Sequence, residues 1–142
     1  MTQKYLDSPL KYPILVPAKT YQFPAFPAVA PVGNQTTYIA YHGGYSAGFE
    51  SSAQLRTSSC TVTGISINVT GNTLNSASTI TLRKNGAATS LTGTINAGQT
   101  GQLNFTGSVD FADGDLLSVE MVLGGTAGQG ISIRGGSIMV NI

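Results

Sequence analysis

The sequence predicts an all-β sandwich of roughly eight antiparallel strands behind an extended N-terminal arm, and three observations carry that expectation. From residue 36 onward, apolar residues alternate with Ser, Thr and Asn at a period of two. Gly, Asn and Asp break these runs at the intervals that turns take in a sandwich. All six prolines precede residue 36, and no long window carries a helical stripe with caps.

Residues 1–35 read as the arm and residues 36–142 as the folded domain. Each proline fixes φ, removes a backbone donor and pushes its predecessor towards extended geometry, so the segment is neither a helix nor a central strand. Yet "YPILVPAKTYQFPAFPAVAP" is rich in Tyr12, Ile14, Leu15, Val16, Tyr21, Phe23 and Phe26. That composition is wrong for a solvated linker. Such an arm needs a surface, either its own domain or a neighbouring subunit or larger assembly.

The strands follow in order. "TYIAYH" and "YSAGFE" flank Gly43-Gly44, a candidate hairpin. "CTVTGISINVTG" sets Ile65, Ile67 and Val69 on one face, and Ile80 and Leu82 share a face of "STITLRKNG". Asn85-Gly86 is the pair that tolerates positive φ at both centres of a type I′ turn, so the hairpin around it is locally encoded. Arg83 and Lys84 just before the tip read as charges that discourage edge pairing. Leu91 and Ile95 continue the pattern, then Leu103, Phe105, Val109 and Phe111. Asp113-Gly114-Asp115 is a second turn, launching Leu117, Val119, Met121 and Leu123. Ile131, Ile133, Ile138, Val140 and Ile142 close the chain around Gly135-Gly136, where a bulge is expected.

Composition narrows function. At 142 residues the chain is long enough to bury roughly two-thirds of its unfolded surface in one domain. Charged residues are only 9% of it, and the net charge of +1 gives no field to steer a polyanion. Nucleic acid and anionic membrane are therefore not expected as partners. Near-zero charge also removes the repulsion that keeps copies apart, and the surface reads as one made to lie against other protein. Cys60 is the single cysteine, which rules out an intrachain disulfide and reads as a small buried hydrophobe. No secretory signal and no membrane-length apolar run is legible. The sequons at Asn34, Asn68 and Asn104 are accordingly set aside.

No constellation reads as catalytic. His42 is the lone histidine and lacks a nucleophile motif beside it. Asp110, Asp113 and Asp115 lie close in sequence but not at the spacing of a calcium loop, and neither a metal nor another cofactor is expected. Glu50 and Glu120 are acids that nothing in the sequence positions as a glycosidase pair. "VLGGTAGQG" lacks the Lys-Ser/Thr of a phosphate loop. Tyr38, Tyr41 and Tyr45, with His42, form a Tyr- and Gly-rich stretch suited to an adaptable loop contact, and equally to half-buried strand positions.

The run "TLRKNGAATSLTGTI", a Gly-rich link, "GQLNFTGSV", "ADGDLLSVEMVL" and an alternating last strand resembles the C-terminal half of jelly-roll domains of the tumour-necrosis-factor and complement globular-head type. The resemblance covers about residues 60–142 and implies a jelly roll that assembles as a homotrimer. Among tailed-phage proteins of this pattern, a small neutral domain with an N-terminal arm is similar to head decoration proteins. That implies a non-enzymatic virion protein on the capsid surface, synthesised in the host cytoplasm, with the major capsid protein as partner. Tyr12, Ile14, Leu15, Val16, Tyr21, Phe23 and Phe26 are then the expected capsid or subunit contacts. The alternative is a receptor- or glycan-binding jelly-roll module that works through its loops.

Overall fold

The computed structural model describes residues 19–23, 34–39 and 46–142. Among the described residues there are ten strands: β1 (Lys19–Phe23), β2 (Thr36–Tyr38), β3 (Ser46–Ala47), β4 (Leu55–Arg56), β5 (Cys60–Asn72), β6 (Ser78–Lys84), β7 (Ala87–Ile95), β8 (Gly101–Phe111), β9 (Leu116–Val122) and β10 (Ile131–Asn141). A 3-10 turn, η1 (Glu50–Ser52), lies between β3 and β4. Eight of the strands make the fold, and β3 and β4 add two residues each.

The strands form two antiparallel sheets. The first has the order β1-β10-β5-β8, the second β3-β2-β9-β6-β7, with β4 also pairing β9. From β5 on, the chain passes between the sheets at nearly every connection: β5 in the first, β6 and β7 in the second, then β8, β9 and β10 in alternate sheets. Wound this way, most neighbours in a sheet other than the β2–β3 and β6–β7 pairs are distant in sequence, which is the jelly-roll form of a β-sandwich.

The core is the alternation of the sequence turned inward. Val62, Ile65, Ile67 and Val69 of β5 face Ile80, Leu82, Val119 and Met121 of the second sheet, with Leu91, Ile95, Phe111, Ile138 and Val140 closing the cluster. Each such side chain contributes roughly 2 kcal/mol by leaving water. Two expectations need correction at the margins. Leu103, Phe105 and Val109 are only partly buried, because among the described residues β8 is the last strand of its sheet. Ile142 lies past the end of β10 and is 60% exposed.

The turn chemistry follows the sequence closely. Asn85 has φ 51° and Gly86 φ 81°, the left-handed pair of a type I′ turn, and they join β6 directly to β7. β10 carries its bulge between Ile133 and Gly136, as Gly135-Gly136 led one to expect. β1 occupies the interval between Pro17 and Pro24 and sits at the edge of its sheet, where the missing proline donors do no harm. β2 and β3 pair antiparallel, while Gly43-Gly44 between them lies outside the described residues.

One close approach ties the sheets together at their β7–β8 side. A Cβ placed on Gly93 of β7 would fall inside the ring of Phe105 of β8, so only glycine lets that ring settle against the opposite sheet.

Candidate functional site

Arg83 is the centre of the best-organised polar cluster. It leaves β6 on the outer face of the second sheet, on the side opposite Leu82, which enters the core. β6 lies between β9 and β7, so Arg83 and Lys84 do not guard a free edge as the sequence suggested. They pair instead. Arg83 Nε donates to Glu50 Oε1 at 2.9 Å, and Arg83 Nη1 lies 3.1 Å from Glu120 Oε2. Arg83 Nη2 also donates to the Gly86 carbonyl at the hairpin tip.

Sheet register brings the remaining members together. Tyr38 of β2 stands opposite Glu120 of β9, and its hydroxyl donates to Glu120 Oε2 at 3.0 Å. Ser118, opposite Arg83, donates to Glu50 Oε1 at 2.6 Å and is itself buried. The Arg83 guanidinium carbon lies 6.0 Å from the centre of the Tyr38 ring. Burial by itself would raise the Glu50 carboxyl, but hydrogen bonds from Arg83 and Ser118 outweigh it and hold the group below its ordinary value. The bond to Glu50 drives the Arg83 pKa up. Tyr38 is raised by burial and then by its bond to Glu120. One fixed cation thus answers two carboxylates, and the result clamps η1 onto the sheet.

A second polar group fixes the neighbouring corner. Lys84 Nζ lies 3.0 Å from Asp115 Oδ2 and donates to the Asp110 carbonyl at 2.8 Å. Asn85 Nδ2 donates to Asp115 Oδ1, and the Ala112 amide to Asp115 Oδ2, each at 2.8 Å. These donors, Asn85 foremost, bring the Asp115 carboxyl down to about 2. Asp110 points elsewhere and accepts from Thr61 Oγ1 at 2.6 Å. The three aspartates therefore do not converge. Among the described residues, no group of three or more His, Cys, Asp or Glu is placed to hold a metal ion.

Two clefts are lined by described residues. The first, of about 230 Å³, opens at the end of the sandwich between β4, β9 and β10. Leu55, Cys60, Leu117, Ile138, Val140 and Ile142 line it. Cys60 is half-buried there rather than enclosed in the core, because β5 has only begun to enter the sandwich at that point. Burial raises its thiol pKa. The second cleft, of about 240 Å³, lies on the outer face of the first sheet at the β10 bulge, lined by Ser66, Asn68, Gln102, Arg134, Gly135 and Ser137. Gln102 Nε2 donates to Ser66 Oγ there at 2.8 Å.

Outside these features the described residues carry few charges. The outer face of the first sheet presents Ser66, Asn68 and Thr70 of β5, Gln102, Asn104 and Thr106 of β8, and Ser137 and Met139 of β10. Among the described residues, Arg134 of β10 and Asp110 of β8 are the charged side chains on this face. At the far end, the three loops between β5 and β6, β7 and β8, and β9 and β10 carry no charge and are laced by amides and hydroxyls. Asn72 Nδ2 donates to the carbonyls of Asn96 and Gln99, both at 3.1 Å. Gln129 Oε1 accepts from the amides of Asn75 and Thr126.

Of the residues expected to make contacts, Tyr12, Ile14, Leu15, Val16, Phe26, Tyr41, His42 and Tyr45 lie outside the described residues. Tyr21 and Phe23 fall in β1, at register positions opposite Ile138 and Gly136. Tyr38 is half-buried and engaged with Glu120. Glu50 and Ser118 were not singled out as partners of Arg83. The only hint was a lone Arg on the wet face of one strand and Ser118 and Glu120 on the wet face of another, and strand pairing is what unites them. In comparisons with known proteins, no family model and no curated protein matches the chain.

Proposed function

We propose that this chain is a non-enzymatic structural protein of a virus particle, a homotrimer that sits on the capsid surface and stabilises it by binding the major capsid protein. The observation that supports this reading is the outer face of the first sheet, which among the described residues carries only Arg134 and Asp110 as charges. A face of Ser, Thr, Asn and Gln side chains can be covered where a neighbour answers their hydrogen bonds, and costs less to desolvate than a charged face. β8, the edge strand beside that face, spans Gly101–Phe111 with Asp110 as its one charged residue, and the neighbouring edge strand β7 has none. Most natural sheet edges carry charge or proline against pairing, so these edges suit close contact with another chain. Tyr12 and Phe26, on either side of β1 in sequence, add apolar contacts to a neighbour or to the capsid. The carboxylates of Glu50 and Glu120 are committed to Arg83, which leaves neither a free acid nor a free base in that cluster.

Solution mass tests the assembly. The full chain is expected at three times its monomer mass by light scattering, and Asn104→Lys, in the middle of the face, is expected to lower that mass while the fold survives by circular dichroism. A monomer at micromolar concentration overturns the trimer. Co-sedimentation with capsids built from major capsid protein then tests attachment.

The polar cleft around Arg134 favours a second reading, a ligand-binding module that recognises a hydroxylated or anionic group such as a glycan. Retained binding to a glycan array, lost in Arg134→Ala, would select it over the structural role.

A further inference from the structure

We propose that Asn85 is a site of spontaneous deamidation gated by the corner it sits in, locked while that corner holds and irreversibly altered once it opens. Asn85-Gly86 is the only Asn-Gly pair in the sequence, and both residues are exposed at the tip of the β6–β7 hairpin. The chemistry follows from the residue types. The backbone nitrogen of Gly86 attacks Cγ of Asn85, the side-chain amide leaves as ammonia, and a succinimide ring forms. Water then opens either carbonyl of the ring, giving aspartate or isoaspartate at position 85. No oxidant or cofactor enters. Glycine is the residue that leaves this nitrogen most accessible, because it has no Cβ to crowd the approach.

The fold holds the reacting side chain elsewhere. The Asn85 backbone amide donates to the Leu116 carbonyl, Asn85 Oδ1 accepts from the Leu116 amide, and Asn85 Nδ2 donates to Asp115 Oδ1, each at 2.8 Å. Asp115 is itself fixed by the Ala112 amide and by Lys84, so the acceptor does not drift. On the other side of the turn, Arg83 Nη2 anchors the Gly86 carbonyl. Ring closure needs the Asn85 side chain to turn back over its own backbone, and it must first give up its bonds to Asp115 and Leu116. The rate is therefore set by how often this corner opens.

The product cannot be locked again. Aspartate at position 85 has an oxygen in place of the Nδ2 donor, and it sets two carboxylates face to face where a 2.8 Å hydrogen bond stood. The ammonium of Lys84 already serves Asp115 and the Asp110 carbonyl. Isoaspartate adds a backbone methylene to a connection of only two residues, which no longer fits the pairing of Lys84 with Ala87. A deamidated chain thus keeps a record of having opened, whatever the protein binds.

Peptide mass spectrometry with isoaspartate detection, after incubation of the full chain at pH 8 and 37 °C, reads the conversion of residue 85. The folded chain is expected to convert at least tenfold more slowly than the same chain in urea, and equal rates would overturn the gate. Asp115→Ala, with its fold checked by circular dichroism, is expected to convert at least fivefold faster than the parent. An unchanged rate in that folded variant would overturn the role of Asp115. Val69→Ala separates local from global opening, since Val69 is a core residue beside the start of β8 while the corner follows its end. It should leave the rate within twofold of the parent, and acceleration equal to that of Asp115→Ala would show that global unfolding sets the rate. Asn85→Asp reproduces one product and is expected to lower the urea midpoint; an unchanged midpoint would overturn the irreversible step. None of these readouts involves attachment to a particle, so failure here and failure of the proposed function are separate results.

Discussion

Arg83 Nε lies 2.9 Å from Glu50 Oε1, joining β6 to the 3-10 turn before β4 across 33 positions of sequence. The same guanidinium holds Glu120, and the three side chains are largely withdrawn from water, with 16% of the Arg83, Glu50 and Glu120 side chains exposed. Removing the cation leaves two carboxylates facing each other with their neutralising partner gone. Arg83→Ala is therefore expected to destabilise the fold by about 3 kcal/mol, read as a drop in the urea midpoint. Arg83→Lys should recover only part of the loss, because one ammonium cannot present the fork that reaches both acids.

Acid should loosen the neighbouring corner. The folded Asp115 pKa of about 2 lies below its ordinary value of 3.8. The contribution of this group to stability is thus complete above pH 4 and is lost as pH falls towards 2. Glu50, also lowered, acts in the same direction. Urea midpoints measured from pH 5 to pH 2 are expected to fall less steeply in Asp115→Asn than in the parent chain. Parallel curves for the two would show that Asp115 does not drive the acid response.

The turn at Asn85-Gly86 gives a local test. With φ 81° at Gly86, Gly86→Ala forces a side chain into left-handed backbone and should destabilise by roughly 1–2 kcal/mol. Asn85→Ala loses the same conformational tolerance and also the bonds from Asn85 Nδ2 to Asp115 and from the Leu116 amide to Asn85 Oδ1. Its effect is expected to be the larger of the two by thermal denaturation.

Gly93 and Phe105 should behave as a coupled pair. Gly93→Ala drives the Phe105 ring out of its position and is expected to be destabilising by roughly 1–3 kcal/mol. In the Phe105→Leu background the same change should be milder. A double-mutant cycle that sums to additivity would refute the contact.

Legibility in the sequence tracked the range of the interaction. The type I′ turn at Asn85-Gly86 and the inward faces of β5, β6 and β9 depend on neighbours two residues away, and they were readable in full. Arg83 and Lys84 were misread as guards of an edge because nothing local says that β9 returns to lie beside β6. The same blindness hid the meeting of Glu50, Ser118 and Arg83, which come from three separate elements. Phe105 looked like a core residue by alternation, yet its burial is decided by whether another strand follows β8. The cleft beside Cys60 has no signature at all, since it is the space left where β4, β9 and β10 fail to meet.

β10 occupies the middle of the first sheet, between β1 and β5, although in chain order it comes after every other described strand. Until residues 131–141 emerge, β1 has no partner in the sandwich and β5 shows one bare flank. A nascent chain stalled just short of that point would hold a nearly finished second sheet and half of a first one. The whole sandwich is in this sense zipped by the eleven-residue strand β10, and it cannot close until residues 131–141 have been made.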